Sequence, residues 1–253
     1  MNCILLDVGN VILYDYPVIK AYLIEFHRLL NIESMSLFNL AVIYFKNNLI
    51  NNETDWFLKI KEFNDIDLEE INSTAWGNVL QRWNEINVPI EENINILKKY
   101  SDKFTYVICA NQPAQTRALL TRYCAQEWFK IILLDDELNF SKPDICFYKE
   151  VIGKCKNDSS SILMVGDRID NDVYPIKLLG YQSCLLLSHV NLGYKVFTDK
   201  VDTWLYELYV SFYKKRNDLV KEAPTYAFDN LDSFLRFYSC NFGGQNSECN
   251  DSL

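Results

Sequence analysis

Residues 4–13 read ILLDVGNVIL, and this string sets the fold: an unbroken apolar run that ends on a lone carboxylate, Asp7. The run begins at Cys3–Leu6, and four more of similar length follow it: Tyr106–Ala110, Ile131–Leu134, Ile162–Val165 and Cys184–Leu187. Each closes on a polar cluster. Continuous runs of this kind suit strands buried on both faces of a parallel sheet, where alternation is not required. Helical patterns separate them, over 113–124, 143–155 and 171–179. Pro113 and Pro143 are expected at or near the first helical position, where a missing N–H costs nothing. Alternating strands and helices predict an α/β fold, an open Rossmann-like parallel sheet with right-handed crossovers.

One block breaks the alternation. From Val18 to Tyr100 no strand pattern occurs, and helix-like segments fill 18–30, 35–49, 54–63, 67–84 and 91–100. Leu23, Phe26, Leu29 and Leu30 recur at the spacing of a buried helical stripe. The block reads as a small all-helical domain inserted between the first two strands. Residues 1–16 and 101–240 are then the core domain, 17–100 the inserted domain and 241–253 a disordered tail. Beyond Leu187 the pattern predicts a helix over 199–217, a short strand at Tyr226–Phe228 and a closing helix over 229–238.

The 253 residues carry 25 Lys+Arg against 34 Asp+Glu, a formal net charge of −9. Nucleic acid and anionic membrane surfaces both call for a basic patch, so neither is expected as a partner. An aromatic content of 14% excludes a disordered chain. The eight cysteines are scattered without a C-x-x-C pair, and two histidines, His27 and His189, do not suggest a zinc site. No run reaches ~18 uncharged apolar residues and the N-terminus enters a strand directly, so neither a signal peptide nor a membrane span is expected. The chain reads as cytoplasmic.

Ligands of open α/β sheets bind beyond the carboxyl ends of the strands, which directs attention to the residues closing each run. The first strand ends in Asp7 and the second in Ala110-Asn111-Gln112. The third leads to Ser141-Lys142-Pro143-Asp144, and the fourth ends in GDRIDND, with Asp167, Asp170 and Asp172. Carboxylates crowded on one edge repel unless a cation neutralises them, and Mg²⁺ prefers oxygen donors with waters retained. Lys142 adds a fixed positive charge suited to a phosphate or an aspartyl-phosphate. This set fits phosphoryl transfer with an Asp nucleophile, where a covalent intermediate splits one difficult step into two.

ILLDVGNV, ANQP, Lys142 and GDRIDND stand in this order over residues 3–187. In all four the chain resembles the haloacid dehalogenase (HAD) superfamily of hydrolases, the first motif being in its DxGNV form. The resemblance implies a Rossmann-like core with a helical cap inserted after the first strand, and Mg²⁺ as cofactor. It further implies Asp7 as nucleophile and Mg²⁺ ligand, the Gly9 carbonyl as a second ligand and Asp167 as the acidic ligand of the fourth motif. Asp172 would be a catalytic neighbour, and Lys142 would hold nucleophile and phosphate. Ala110 and Asn111, with nearby backbone N–H groups, would cradle phosphate oxygens.

Two positions depart from the family pattern. Gly9 stands where phosphatases of the family usually carry an Asp general acid and base, and Ala110 where they carry a Ser or Thr hydroxyl. General acid–base catalysis is worth roughly 10²–10⁴-fold, so the first loss is large. Asp15, next to Tyr14 and Tyr16, is the expected substitute if one exists.

The expected activity is Mg²⁺-dependent hydrolysis of a small phosphorylated or partly apolar metabolite through an aspartyl-phosphate. The alternatives are a metal-free 2-haloacid dehalogenase and a catalytically weak or repurposed ligand-binding protein. The aromatics of the insert (Phe38, Tyr44, Phe45, Trp56, Phe57, Trp76 and Trp83) are expected mainly as core, and His27 as a packed histidine.

Overall fold

The computed structural model describes residues 2–60, 66–124, 126–155, 161–187, 200–219 and 223–242. Strands β1 (Asn2–Leu6), β2 (Phe104–Ala110), β3 (Phe129–Leu134), β4 (Ile162–Gly166), β5 (Gln182–Leu186) and β6 (Tyr226–Phe228) form one parallel sheet. Their order is β3-β2-β1-β4-β5-β6. β1 is therefore central, with Leu6 level with Ile108 on one side and Val165 on the other. The chain winds outward from β1 in both directions, which creates the switch point where ligands of such sheets bind.

The α-helices are α1 (Tyr16–Leu30), α2 (Leu37–Tyr44), α3 (Leu68–Gln81), α4 (Trp83–Ile86), α5 (Glu91–Lys99), α6 (Thr116–Tyr123), α7 (Ile145–Cys155), α8 (Tyr174–Leu178), α9 (Lys200–Leu219) and α10 (Leu231–Phe242). They divide between two compact units, one holding the sheet with α5–α8 and α10, the other α1–α4 and α9. Two of the breaks between them fall after Leu13 and after Val88. No helix among the described residues is long and apolar enough to cross a membrane.

In the sheet unit, successive strand residues face opposite sides, so an unbroken apolar run fills two interfaces at once. Cys3 and Leu5 of β1, Val107 and Cys109 of β2 and Met164 of β4 pack against Phe147, Tyr148, Val151 and Ile152 of α7. Tyr238 of α10 packs against Phe104, ring centroids 5.7 Å apart. The thiols of Cys109 and Cys184 are buried and pushed upward by desolvation, Cys109 to about 12. Cys146 is the exposed one of the six free cysteines described. Brief iodoacetamide treatment of the folded protein is expected to label Cys146 first among these six, which peptide mapping reads directly.

In the second unit aromatic side chains supply the core. Tyr22 stacks on Trp76 at 4.7 Å, and Trp56 lies edge-on to Tyr44 at 5.1 Å. Phe45 meets Tyr209 and Phe212 of α9 at 6.0 and 5.8 Å. Tyr44, Phe45, Trp56, Phe57 and Trp83 are buried as expected, whereas Phe38 is 51% exposed. His27 is held through its Nε2 against the Met35 carbonyl at 2.8 Å, a packed histidine.

Several boundaries differ from the sequence expectation. α7 starts at Ile145 rather than at Pro143, because the Asp144 carboxylate accepts the Cys146 N–H at 2.7 Å and serves as its cap. α6 likewise starts three residues after Pro113, which instead offers its carbonyl to Thr116 N–H at 2.9 Å. The segment 54–63 holds a single 3₁₀ turn at Trp56–Lys59 among its described residues. α5 groups with the sheet and not with the insert: Asn93 Nδ2 donates to the Val11 carbonyl at 2.8 Å and Lys99 pairs with Asp232 of α10 at 3.0 Å. α9 groups with the insert, since its Tyr/Phe stripe and Asp202, paired with Lys20, face α1 and the turn after α2. α10 runs on to Phe242, and the rest of the expected tail, like His189, lies outside the described residues.

Candidate active site

β1 delivers Asp7 to the carboxyl edge of the sheet. The Asp7 N–H donates to the Val165 carbonyl at 3.0 Å, carrying the β1–β4 pairing one residue further. The Val8 carbonyl then receives the N–H groups of Ile12 and Leu13 at 2.8 and 3.0 Å, which turns the chain sharply. Gly9 lies buried in this turn, bridged to Leu13. Asn10 follows with φ 51°, a left-handed conformation that Asn tolerates better than most residues. Its Nδ2 donates to Asp167 Oδ2 at 2.9 Å. Asn10 thus steadies a candidate ligand, a role the sequence reading missed.

Lys142 comes from the loop between β3 and α7 and is 4% exposed. Its Nζ donates to Asp7 Oδ1 at 2.9 Å and to Asp172 Oδ1 at 2.8 Å. Its backbone is gripped by Asn111: Asn111 Nδ2 donates to the Lys142 carbonyl at 2.8 Å, and the Lys142 N–H donates to Asn111 Oδ1, also at 2.8 Å. Both ends of the Asn111 amide are engaged in this way. The side chain expected on a phosphate thereby braces the backbone of the lysine. Ala110 is fully buried beside it and brings no side-chain donor.

The loop after β4 supplies the remaining carboxylates. Asp172 is wholly buried and its Oδ2 accepts the Arg168 N–H at 3.0 Å. Asp170 points elsewhere, into a two-pronged pair with Arg168 Nε and Nη2 at 3.1 and 2.6 Å. Asp7, Asp167 and Asp172 each offer an oxygen within 4.8 Å of the others. Asp15 belongs to the other unit, where its carbonyl receives the Val18 and Ile19 N–H groups ahead of α1.

The electrostatics follow from three carboxylates and one lysine in a site shielded from water. Burial alone would lower the Lys142 amine, but Asp172 and Asp7 reverse this and hold it well above its ordinary value. One lysine does not neutralise three carboxylates. Burial, reinforced by repulsion from Asp7 and Asp167, pushes the Asp172 carboxyl up to about 7, and the Asp7 carboxyl also rises, burial again being the main cause. An acid raised on folding keeps a proton that the unfolded chain has released, so it removes stability as pH climbs from its unfolded value, near 4, to about 7. The ion-free protein is accordingly expected to melt higher at pH 5.5 than at pH 8, and Asp172→Asn to shrink that difference in a calorimetric scan. An unchanged difference in the variant would contradict this assignment.

Gly166 makes the crowding possible. A Cβ at this position would lie 2.6 Å from Asp172 Cβ and overlap its carboxylate, so no larger residue fits without moving Asp172. Gly166→Ala should displace a group that holds Lys142. Misplacements of this size cost roughly 10²-fold in rate. Wild-type kcat in that variant would show that Asp172 is not needed where it stands.

The comparisons with known proteins agree on the fold. Among solved structures, a HAD phosphatase from Thermococcus onnurineus superposes with a TM-score of 0.58 at 18% identity, covering 96% of this chain and 99% of that one. A 2-haloacid dehalogenase from Pseudomonas syringae pv. Tomato DC3000 gives 0.56 at 15% identity, covering 95% and 99%. YfnB from Bacillus subtilis, a candidate HAD-hydrolase bound to magnesium, gives 0.58 at 17% identity, covering 93% and 97%. No curated protein matches. The family model described as haloacid dehalogenase-like hydrolase matches residues 19–184, about two thirds of the length. On that match, which lies downstream of Asp7 and is independent of it, the chain belongs to the haloacid dehalogenase-like hydrolases.

Proposed function

We propose that this hydrolase cleaves a small phosphorylated metabolite with the help of Mg²⁺, using Asp7 as nucleophile. The observation that carries the reading is the Lys142 ammonium bridging Asp7 and Asp172, within a cluster that Asp167 completes. A buried ammonium of this kind orients the nucleophile and offers charge to an incoming phosphoryl group in a place where charge is worth more than in water. In the proposed reaction an Asp7 carboxylate oxygen bonds to phosphorus while the ester oxygen leaves with its electron pair. Water then attacks phosphorus and releases Asp7. The excess of carboxylates over lysine fits a divalent cation, which Asp7 and Asp167 would hold together with the Gly9 carbonyl. When bound, the ion would neutralise phosphoryl oxygens. The first motif in its DxGNV form, and the inserted helical unit acting as a cap that selects the metabolite, belong to the same proposal.

The test is a panel of phosphate monoesters assayed with Mg²⁺ and with chelator. Turnover is expected only with the ion, and Ca²⁺ should replace it poorly because its longer, looser coordination misplaces the nucleophile. Full turnover of the esters in chelator would overturn the Mg²⁺ part of the proposal, and halide release from a 2-haloacid in chelator, with no ester turned over, would favour the metal-free dehalogenase.

Gly9 sharpens the proposal. An alkyl phosphate expels an oxygen that needs a proton, whereas p-nitrophenolate leaves without one. Rates should therefore fall steeply as the leaving-group pKa rises, and Gly9→Asp should flatten that slope. A flat slope in the unmodified protein would mean that another group donates the proton, with Asp15→Asn the next variant to examine. Gly9 and Ala110 also favour a second reading, a ligand-binding protein with weak catalysis. That reading replaces the first if no ester is turned over by any variant.

A further inference from the structure

A buried arginine in the helical unit serves no purpose in the chemistry at Asp7. Arg216, in the last turn of α9, is 3% exposed. Its Nε and Nη2 are both shielded from solvent and have no hydrogen-bond partner among the described residues. Its guanidinium carbon lies over the ring of Tyr213, 4.3 Å from the centroid. Arginine stays charged in proteins, and a charge without water or a counter-ion is strongly unfavourable.

The identity of the two atoms is informative. Nε and Nη2 form the side of the guanidinium that presents two parallel N–H bonds to one pair of oxygens. Three other arginines of this chain use that same side on a carboxylate: Arg28 on Glu25 at 3.0 and 2.6 Å, Arg168 on Asp170 at 3.1 and 2.6 Å, and Arg117 on Glu137 through both nitrogens. All three are more exposed than Arg216, with side chains 62%, 20% and 44% accessible. Arg216 is thus the most buried of the four, and the one of these four whose fork is unfilled among the described residues. Tyr213 holds the guanidinium carbon over its ring in a cation–π contact, which anchors the group that carries the fork.

We propose that the Nε/Nη2 edge of Arg216 is a two-pronged receptor for a small oxyanion, either a carboxylate or a phosphate. The site lies at a helix end, where local opening that admits a ligand is cheapest. The full-length protein in chelator is titrated calorimetrically with inorganic phosphate and with acetate, alongside Arg216→Met and Arg216→Lys. At least one anion should bind the unmodified protein saturably and at least tenfold more tightly than either variant. The anion that binds tighter identifies the class. Any phosphate held near Asp7 appears equally in all three proteins and cancels from the comparison. In chloride buffer Arg216→Met should melt above the unmodified protein, because an apolar side chain replaces two buried N–H donors that have no acceptor among the described residues. Saturating anion should close that gap. Arg216→Lys keeps the charge and loses the fork, so it carries the comparison alone if Arg216→Met does not fold. Superimposable titrations across the three proteins, or no saturable binding of either anion, would overturn the proposal.

Discussion

Asp7→Asn is expected to lose activity by about 10⁴–10⁶-fold, the scale seen when a nucleophile is removed from a catalytic unit, while the protein stays folded. The substitution keeps the shape of the side chain and removes both its negative charge and its nucleophilic oxygen. Lys142 retains Asp172 at 2.8 Å, so the buried ammonium is not left alone. Removing one of three mutually repelling carboxylates also relieves the repulsion that adds to burial in raising Asp172. Thermal stability in chelator should therefore be unchanged or slightly higher. Initial rates on the best ester of the panel, set beside a melting curve, check both halves. Activity near that of the unmodified protein would remove Asp7 from the mechanism.

Lys142→Met carries the largest expected effect on stability. The side chain is buried with Asp172 and beside a half-buried Asp7, at 2%, 0% and 13% exposure for Lys142, Asp172 and Asp7. Removing one member of a buried ion pair leaves an uncompensated charge and costs about 3–5 kcal/mol. At about 2–4 °C per kcal/mol for a chain of this size, the melting temperature should drop on the order of 6–20 °C at pH 8. The loss should be smaller at pH 5.5, where the raised Asp172 carboxyl takes up a proton. Addition of Mg²⁺ should restore part of it if the carboxylates hold the ion. A variant as stable as the parent at pH 8 would mean that the ammonium is not what keeps these carboxylates apart.

What the sequence made legible follows from how locally each feature is encoded. β1, β2 and β4 are buried on both faces, so their apolar runs are unbroken and the residue that ends each run is easily found. Asp7, Asp167 and Asp172 stand at such ends or in the loops after them, Lys142 stands in the loop after β3, and the structure brings them together. Partnerships across distance were not legible. The amide of Asn111 meets a backbone 31 residues away, and nothing in ANQP distinguishes a group that faces a ligand from one that braces a loop. Asp170 and Asp172 sit two residues apart on the same short turn, yet Asp170 turns to Arg168 while Asp172 turns inward over Gly166. Helical periodicity likewise predicts α5 and α9 as helices without saying which unit each joins. That was decided by particular bonds, Asn93 to Val11 for α5 and Lys20 to Asp202 for α9.

The central claim is that a phosphoryl group passes through Asp7. It is tested most directly by mixing the protein with Mg²⁺ and its best phosphate ester, quenching in acid within one turnover, and examining the peptide that carries Asp7 by mass spectrometry. The account predicts a phosphoryl adduct on Asp7 that is absent in chelator and absent from Asp7→Asn. Steady hydrolysis of the ester with no adduct on that peptide would contradict it.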